Sequence, residues 1–283
     1  MTVARTIAEF RAARSKLGAV AFVPTMGALH AGHRSLIEAA RGLARHVAVS
    51  IFVNPTQFGP REDLSKYPRT LDADLAMCNA AGAELIFVPE PGEVYRPGEP
   101  GVTVDVPELT QTLEGRHRPG HFQGVCQVVA KLFNVVQPQF ACFGRKDFQQ
   151  LRVIEAMTAA LDFPVQIVGC PTVREGDGLA MSSRNRYLST DERLRALAIS
   201  RALFNAQSEY DNGAQVTSKM VATMQRTLLD VGKLGHVPLS IDYIAAVDSK
   251  TLKPAETFER PVTCCIAARV GTTRLIDNHT VNP

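Results

Sequence analysis

The chain has 283 residues, 45% of them apolar and 21% charged, and a net charge of +3, the balance of a soluble globular protein of one large or two ordinary domains. Basic residues fall in short clusters, such as Arg116, His117 and Arg118, which excludes a nucleic-acid stripe and suits a small anionic ligand. No apolar stretch is long enough to span a bilayer and no signal-peptide pattern opens the sequence, so a cytoplasmic protein with no membrane partner is expected.

GAVAFVP (18–24) is an apolar run stopped by a proline. The helical pattern after it places Leu36, Ile37, Ala40, Leu43, Ala44 and Val47 on one face. A second short apolar run, 47–55, also ends at a proline. Residues 70–81 read as a helix and 83–89 as a buried strand. A helix over 121–136, a strand over 139–144, a helix over 148–160 and a strand over 165–171 follow. Short strands buried on both faces and separated by helices mean βαβ units. The fold class expected is therefore α/β, a Rossmann-like doubly wound parallel sheet over residues 1–175.

The remainder changes character. Ser189 and Glu192 have capping-box spacing and open a helix to about residue 210, and a second helix spans about 214–231. Three strand-like runs, 239–248, 261–271 and 272–281, read as antiparallel. A smaller α+β C-terminal domain over 176–283 is expected. The six cysteines form no C-x-x-C pair and read as reduced, buried thiols.

In doubly wound sheets ligands bind beyond the carboxyl ends of the strands, and the informative stretches follow the strands. PTMGALHAGH places His30 and His33 after a strand and a glycine turn. Metal ligation, core packing and phosphate binding are the three readings of that pair. Metal ligation lacks an obvious third ligand nearby. The strand–turn–helix position favours phosphate, through backbone N–H groups at a helix start and close approach at Gly27 and Gly32. GLAMSSRNRYLS (178–189) offers Ser182, Ser183 and Arg184 as anion donors. FGRKDFQQL (143–151) offers Lys146, with Asp147 as a helix cap or a ligand contact. Asn54 and Gln57 open a long loop with Pro55, Pro60 and Pro68, where neutral amides suit a hydroxyl or carboxylate. Arg116, Arg118 and His121 form either a solvated basic loop or an anion-facing one.

HAGH is an instance of the HxGH signature and resembles the nucleotidylyltransferase superfamily, with AMSSRNR similar to its KMSKS-type loop. Together, PTMGALHAGH, VNPTQFG, YPRT, RPGHFQGV, FGRKDFQQL and AMSSRNRYLS resemble the pantoate–β-alanine ligase family, in order and over essentially the whole chain. That resemblance implies ATP as a substrate, Mg²⁺, a homodimer, and ATP-dependent joining of pantoate to β-alanine through a pantoyl adenylate. It implies a C-terminal domain that closes over the ATP-holding one. It implies that Pro24, Thr25, Met26, Gly27, Ala28, Leu29, His30, Ala31, Gly32 and His33 line the ATP site. Gly144, Arg145, Lys146, Asp147, Val173, Met181, Ser182, Ser183 and Arg184 would complete that site. His33 would be the catalytic proton donor, with His30 and Lys146 on the phosphates. Gln57, Gln150 and Asn54 would hold pantoate, and Gln57 would also meet β-alanine. Asp72 and Asp74 are candidate Mg²⁺ ligands. Arg145 and Phe148 depart from the family's usual acidic and tyrosine residues, and altered local charge is expected there. The alternative is an HxGH nucleotidylyltransferase acting on a phosphorylated substrate.

Overall fold

Each apolar run of the first 175 residues becomes a strand of one parallel sheet in the computed structural model, which describes residues 1–59, 64–232 and 237–282. In chain order the elements begin with β1 (Thr2–Ala4), α1 (Ile7–Arg14), β2 (Val20–Thr25), α2 (Ala31–Arg41), β3 (His46–Ile51), α3 (Leu71–Ala81) and β4 (Leu85–Phe87). Short helices α4 (Pro91–Val94), α5 (Pro107–Thr110) and α6 (Leu113–His117) precede α7 (His121–Val136), β5 (Phe140–Gly144), α8 (Phe148–Ala160) and β6 (Gln166–Cys170). Then come α9 (Thr190–Asp211), α10 (Thr217–Gly232), β7 (Leu239–Asp248), β8 (Val262–Val270) and β9 (Thr273–Val281).

The described residues form two compact units. The first comprises Met1–Gln111, Arg118–Arg145 and Gln150–Pro171, and the second Thr112–His117, Lys146–Gln149 and Thr172–Pro283.

In the first unit the strand order is β1-β4-β3-β2-β5-β6, parallel throughout. The order reverses between β2 and β5, which is the switch point of a doubly wound sheet. Both faces of the sheet are covered. Ala21, Val23, Val47 and Val49 pack with Leu36 and Ile37 of α2 and Cys78 of α3, while Phe10 of α1 meets Phe87 of β4 with ring centroids 5.1 Å apart. Helix α2 stops earlier than the 3.6-residue pattern implies. The chain turns at Gly42, and Val47 pairs with Ala21 in the sheet rather than extending the helical stripe. The apolar residue that continues the helical stripe belongs to the next strand.

The second unit is α+β: α9 and α10 lie against the antiparallel sheet β7-β8-β9. Leu203, Met220, Met224 and Leu228 bury their side chains with Ile266 and Ala268. Ser189 and Glu192 make the expected capping box, with Ser189 Oγ accepting from Glu192 N at 3.2 Å and Glu192 Oε2 accepting from Ser189 N at 2.8 Å.

Polar anchors explain why two short segments join this unit. Arg274 donates to both carboxylate oxygens of the buried Glu114, at 2.6 and 2.8 Å, and Nε reaches Asp242 at 2.7 Å. Tyr243 OH adds a bond to Glu114 at 2.9 Å. Gln149 accepts from Glu114 N at 2.9 Å, and Asn278 Nδ2 donates to the Lys146 carbonyl at 2.7 Å. A buried carboxylate needs such saturation, because each unpaired charge would carry a heavy desolvation cost.

All six cysteines are free and buried. His279 pairs through Nε2 with Gln207 at 2.9 Å. Burial, aided by the nearby Arg174, holds its imidazole below the ordinary value. The unfolded chain therefore binds the proton more readily than the folded one. Stability is expected to be full above the ordinary imidazole range and to fall as pH drops through it. Melting curves between about pH 7.5 and 5.5 check this: His279→Gln is expected to flatten the decline, and an unchanged slope would refute it.

Candidate active site

Strand β2 ends at Thr25, and the turn after it carries the PTMGALH residues into α2. Pro24 and Thr25 close the strand, Met26 to Leu29 form the turn, and Ala31 to His33 make the first turn of the helix. Gly27 and Ala28 both take left-handed backbone angles, φ +79° and +50°. That conformation is free for glycine and costly for alanine. Asp74 holds it in place. This buried carboxylate accepts from Ala28 N at 2.9 Å and Leu29 N at 2.8 Å, and Thr70 Oγ1 reaches it at 3.1 Å. Thr25 Oγ1 donates to Ser50 O at 2.7 Å and accepts from Gly27 N at 3.2 Å.

His30 is the N-cap of α2. Its Nδ1 accepts from Gly32 N at 3.2 Å, and Nδ1 of His33 accepts from His30 N at 3.3 Å. The two histidines thus form a reciprocal capping box, the imidazole version of the Ser/Glu pair. Their i, i+3 spacing was the signal in the sequence for that second role. With Nδ1 accepting, each neutral ring carries its proton on Nε2 and is a donor there. The rings lie 4.1 Å apart between centroids, beside the positive end of the helix. Two N–H donors at a helix N-terminus are suited to a phosphate.

Gln57 ends a short 3₁₀ helix, Pro55–Gln57, that follows β3. It is buried, and its Nε2 donates to Met26 Sδ at 2.9 Å, bringing the β2 turn and this loop together. Asn54 is 1% exposed and N-caps the 3₁₀ helix. Its Nδ2 donates to Gln57 Oε1 at 3.1 Å and to the Gly124 carbonyl at 3.0 Å. His121 Nδ1 donates to the Gln57 carbonyl at 2.8 Å, while Arg118 donates to His121 Nε2 at 3.0 Å, fixing the tautomer. Asn54, Arg118 and His121 therefore converge on Gln57 and support it. Gly124 lets α7 approach: a Cβ there would lie 2.4 Å from Thr56 O. Burial pushes the Tyr95 hydroxyl up, which keeps its proton available as a donor to Asn54 Oδ1, 2.8 Å away. The Pro60 part of the loop lies outside the described residues.

Gly144 ends β5 and Arg145 begins a 3₁₀ helix, with its Nε donating to Gly169 O at 3.2 Å. That bond ties β5 to β6 and is what the residue at this departure from the family pattern does. Phe148 is buried, so its missing hydroxyl leaves no polar group to satisfy. Gln150 is half-buried on α8.

In the second unit, Lys146 is largely buried, with Asp147 Oδ1 3.8 Å from its Nζ. Val173 O accepts from Met181 N at 3.0 Å. Ser182 caps the 3₁₀ helix Ser183–Tyr187 by accepting from Arg184 N at 3.2 Å. Arg184 is exposed and Met181, Ser182 and Ser183 are half-buried. The loop is stiffened by Arg193, which bridges Glu175 at 2.6 Å and Asp177 at 2.7 Å, and by Asn185 Nδ2 on Glu175 at 2.6 Å.

Tyr95, Thr56 and Gly124 contribute to the site beyond the residues expected there, and Asp74, expected as a candidate Mg²⁺ ligand, holds the β2 turn. Of the three additions only Gly124 carried a visible signal, a glycine inside an apolar helical run, which usually marks close packing. Both Asp74 oxygens are turned to the β2 loop, so it serves that turn rather than a cation. Among the described residues no group of three or more His, Cys, Asp or Glu side chains is placed to hold a metal. Among them, too, no helix is long and apolar enough to cross a membrane.

Known proteins share this sequence and fold. The family model described as pantoate-beta-alanine ligase matches residues 2–280. A pantothenate synthetase from Acidothermus cellulolyticus is 54% identical over 281 residues, covering 98% of this chain and 90% of that one. The crystal structure of pantothenate synthetase from Thermus thermophilus superposes with a TM-score of 0.94 at 45% identity, covering 100% of both chains. That of pantoate-beta-alanine ligase from Francisella tularensis, complexed with beta-gamma ATP and beta-alanine, has a TM-score of 0.79 at 31% identity, over 99% of this chain and 97% of that one. The chain belongs to the pantoate–β-alanine ligase family.

Proposed function

We propose that this protein joins pantoate to β-alanine at the expense of ATP. A carboxylate oxygen of pantoate attacks the α-phosphorus and pyrophosphate leaves, giving pantoyl adenylate. The amine of β-alanine then attacks the mixed anhydride, the acyl–oxygen bond breaks, and pantothenate and AMP are released. The observation that carries this reading is the His30–His33 pair. Two imidazoles, each taking a backbone N–H on Nδ1, stand side by side at the N-terminus of the helix that follows β2 at the sheet's switch point. Adenylation by direct carboxylate attack needs no protein nucleophile; it needs donors aimed at charge that grows on phosphate.

In this reading residues 24–33 bind ATP, with His33 as proton donor and His30 beside it on the phosphates. Gly144, Arg145, Lys146, Asp147, Val173, Met181, Ser182, Ser183 and Arg184 also serve the nucleotide. Gln57 and Gln150 contact pantoate, Gln57 meets β-alanine, and Asn54 contributes by holding Gln57. Mg²⁺ arrives on the phosphates, since an ion held that way needs few protein carboxylates. The assembly is a cytoplasmic homodimer.

Pyrophosphate release from ATP, Mg²⁺ and pantoate, followed by AMP and pantothenate once β-alanine is added, tests the reaction. A nucleotidylyltransferase would keep AMP in its product. His33→Ala is expected to retain its fold and lose adenylate formation by about 10²–10³-fold. Near-normal turnover in that variant would remove His33 from its role.

A further inference from the structure

The polarity of the Gln57 carboxamide is decided outside Gln57 itself. Asn54 Oδ1 accepts from Tyr95 OH at 2.8 Å, from Thr56 Oγ1 at 3.0 Å and from Thr56 N at 3.4 Å. Its Nδ2 donates both protons, to Gly124 O at 3.0 Å and to Gln57 Oε1 at 3.1 Å. Turning that amide over would set NH₂ against two hydroxyls and a backbone N–H, and an oxygen against the Gly124 carbonyl. One orientation satisfies every partner. Because Asn54 donates to Gln57 Oε1, Gln57 must present its NH₂ on the other side. There it meets Met26 Sδ at 2.9 Å, and a thioether is a weak acceptor. A carboxylate or hydroxyl oxygen is a better one and would take that donor.

Tyr95 enters this chain of bonds from far along the sequence, 41 residues beyond Asn54. It makes the shortest bond to Asn54 Oδ1. Its ring stands 6.3 Å from that of Phe52, with Lys131 Nζ 5.7 Å from its centroid, so the hydroxyl is held by packing as well as by hydrogen bonds. We propose that Tyr95 is a positioning residue for the acid substrate: through Asn54 it holds Gln57 with its NH₂ toward the bound acid, selecting an acceptor oxygen at that point. The proposal rests on the reading of Gln57 as a pantoate contact.

Tyr95→Phe removes one oxygen and keeps the ring. It is expected to raise the KM for pantoate about fivefold, the size of one lost hydrogen bond, with the KM for ATP and the melting temperature close to the parent's. Added to Gln57→Ala, it is expected to change the pantoate KM no further. The side-chain amide NMR signals of both Asn54 and Gln57 are expected to shift in Tyr95→Phe. An unchanged pantoate KM in an enzyme whose parent makes pantothenate would overturn the proposal. So would an additive loss in the double variant, or equal rises in both KM values with a lower melting temperature. If the parent makes no pantothenate, the functional reading fails separately. The amide signals then decide the positioning geometry alone: a shifted Gln57 signal upholds it and an unmoved one overturns it.

Discussion

Gly124→Ala is expected to destabilise the protein and to weaken pantoate binding, although alanine is the better helix former. Inside α7 the exchange would favour the helix by about 1 kcal/mol. Against that, the new Cβ would lie 2.4 Å from Thr56 O, 2.5 Å from Thr56 C and 2.7 Å from Gln57 N. These are backbone atoms of the 3₁₀ helix and cannot swing aside as a side chain would. The helix and the loop must separate, at an overpacking cost of about 1–3 kcal/mol. Separation also strains the bond from Asn54 to the Gly124 carbonyl and displaces Gln57. The clash therefore wins, and a fall in melting temperature of a few degrees is expected, at about 2–4 °C per kcal/mol. Thermal melts with pantoate titrations check this. A melt at or above the parental temperature would show that helix propensity prevails and that α7 can yield to the added methyl.

Asp74→Ala is expected to be more damaging still. The carboxylate is 2% exposed and takes two backbone N–H groups that have no helix or sheet partner. Removing it leaves both buried and unsatisfied, at about 1–3 kcal/mol each. That is a large share of a typical folding free energy of about 5–15 kcal/mol. It also releases Ala28 from a left-handed conformation that the carboxylate helps to impose. The expected result is a marked drop in melting temperature, together with weaker ATP binding as the turn relaxes. Asp74→Asn, which keeps the shape but turns an NH₂ against one of the two N–H groups, should fall between. Calorimetric titration with ATP and thermal melts measure both effects. Parental ATP affinity and stability in the alanine variant would mean that the turn holds itself.

The parallel sheet was legible because its inner strands β2, β3, β4 and β5 are buried on both faces and so read as continuous apolar runs. The first strand and helix were not. β1 spans Thr2–Ala4 only, and α1 buries a single large residue, Phe10, so neither leaves a periodic trace. The end of α2 was misread because Val47, a strand residue, falls by chance on the helical stripe. In the site, His30 and His33 stood out through their strand–turn–helix position. Tyr95 did not, and Asp74 stood out only as a candidate cation ligand, because the bonds of Asp74 to Ala28 and Leu29 and of Tyr95 to Asn54 span more than 40 residues. Nothing local in α3 or after α4 hints at those bonds. Asn54 and His121 were visible as polar residues near the site. That they grip Gln57 depends on where α7 packs, which only the folded chain shows.

The interleaving of the two units bears on how this protein can be recombined with its relatives. The chain passes from one unit to the other at residues 111–112, 117–118, 145–146, 149–150 and 171–172. A chimera spliced once, near residue 172, would take Arg274 from one parent and Glu114 from the other, and likewise Asn278 and the backbone of Lys146. Crossovers that keep 112–117 and 146–149 with 172–283 preserve those pairs. Inheritance in this fold therefore follows the polar anchors rather than a single cut point, and a library of hybrids should be drawn on that map.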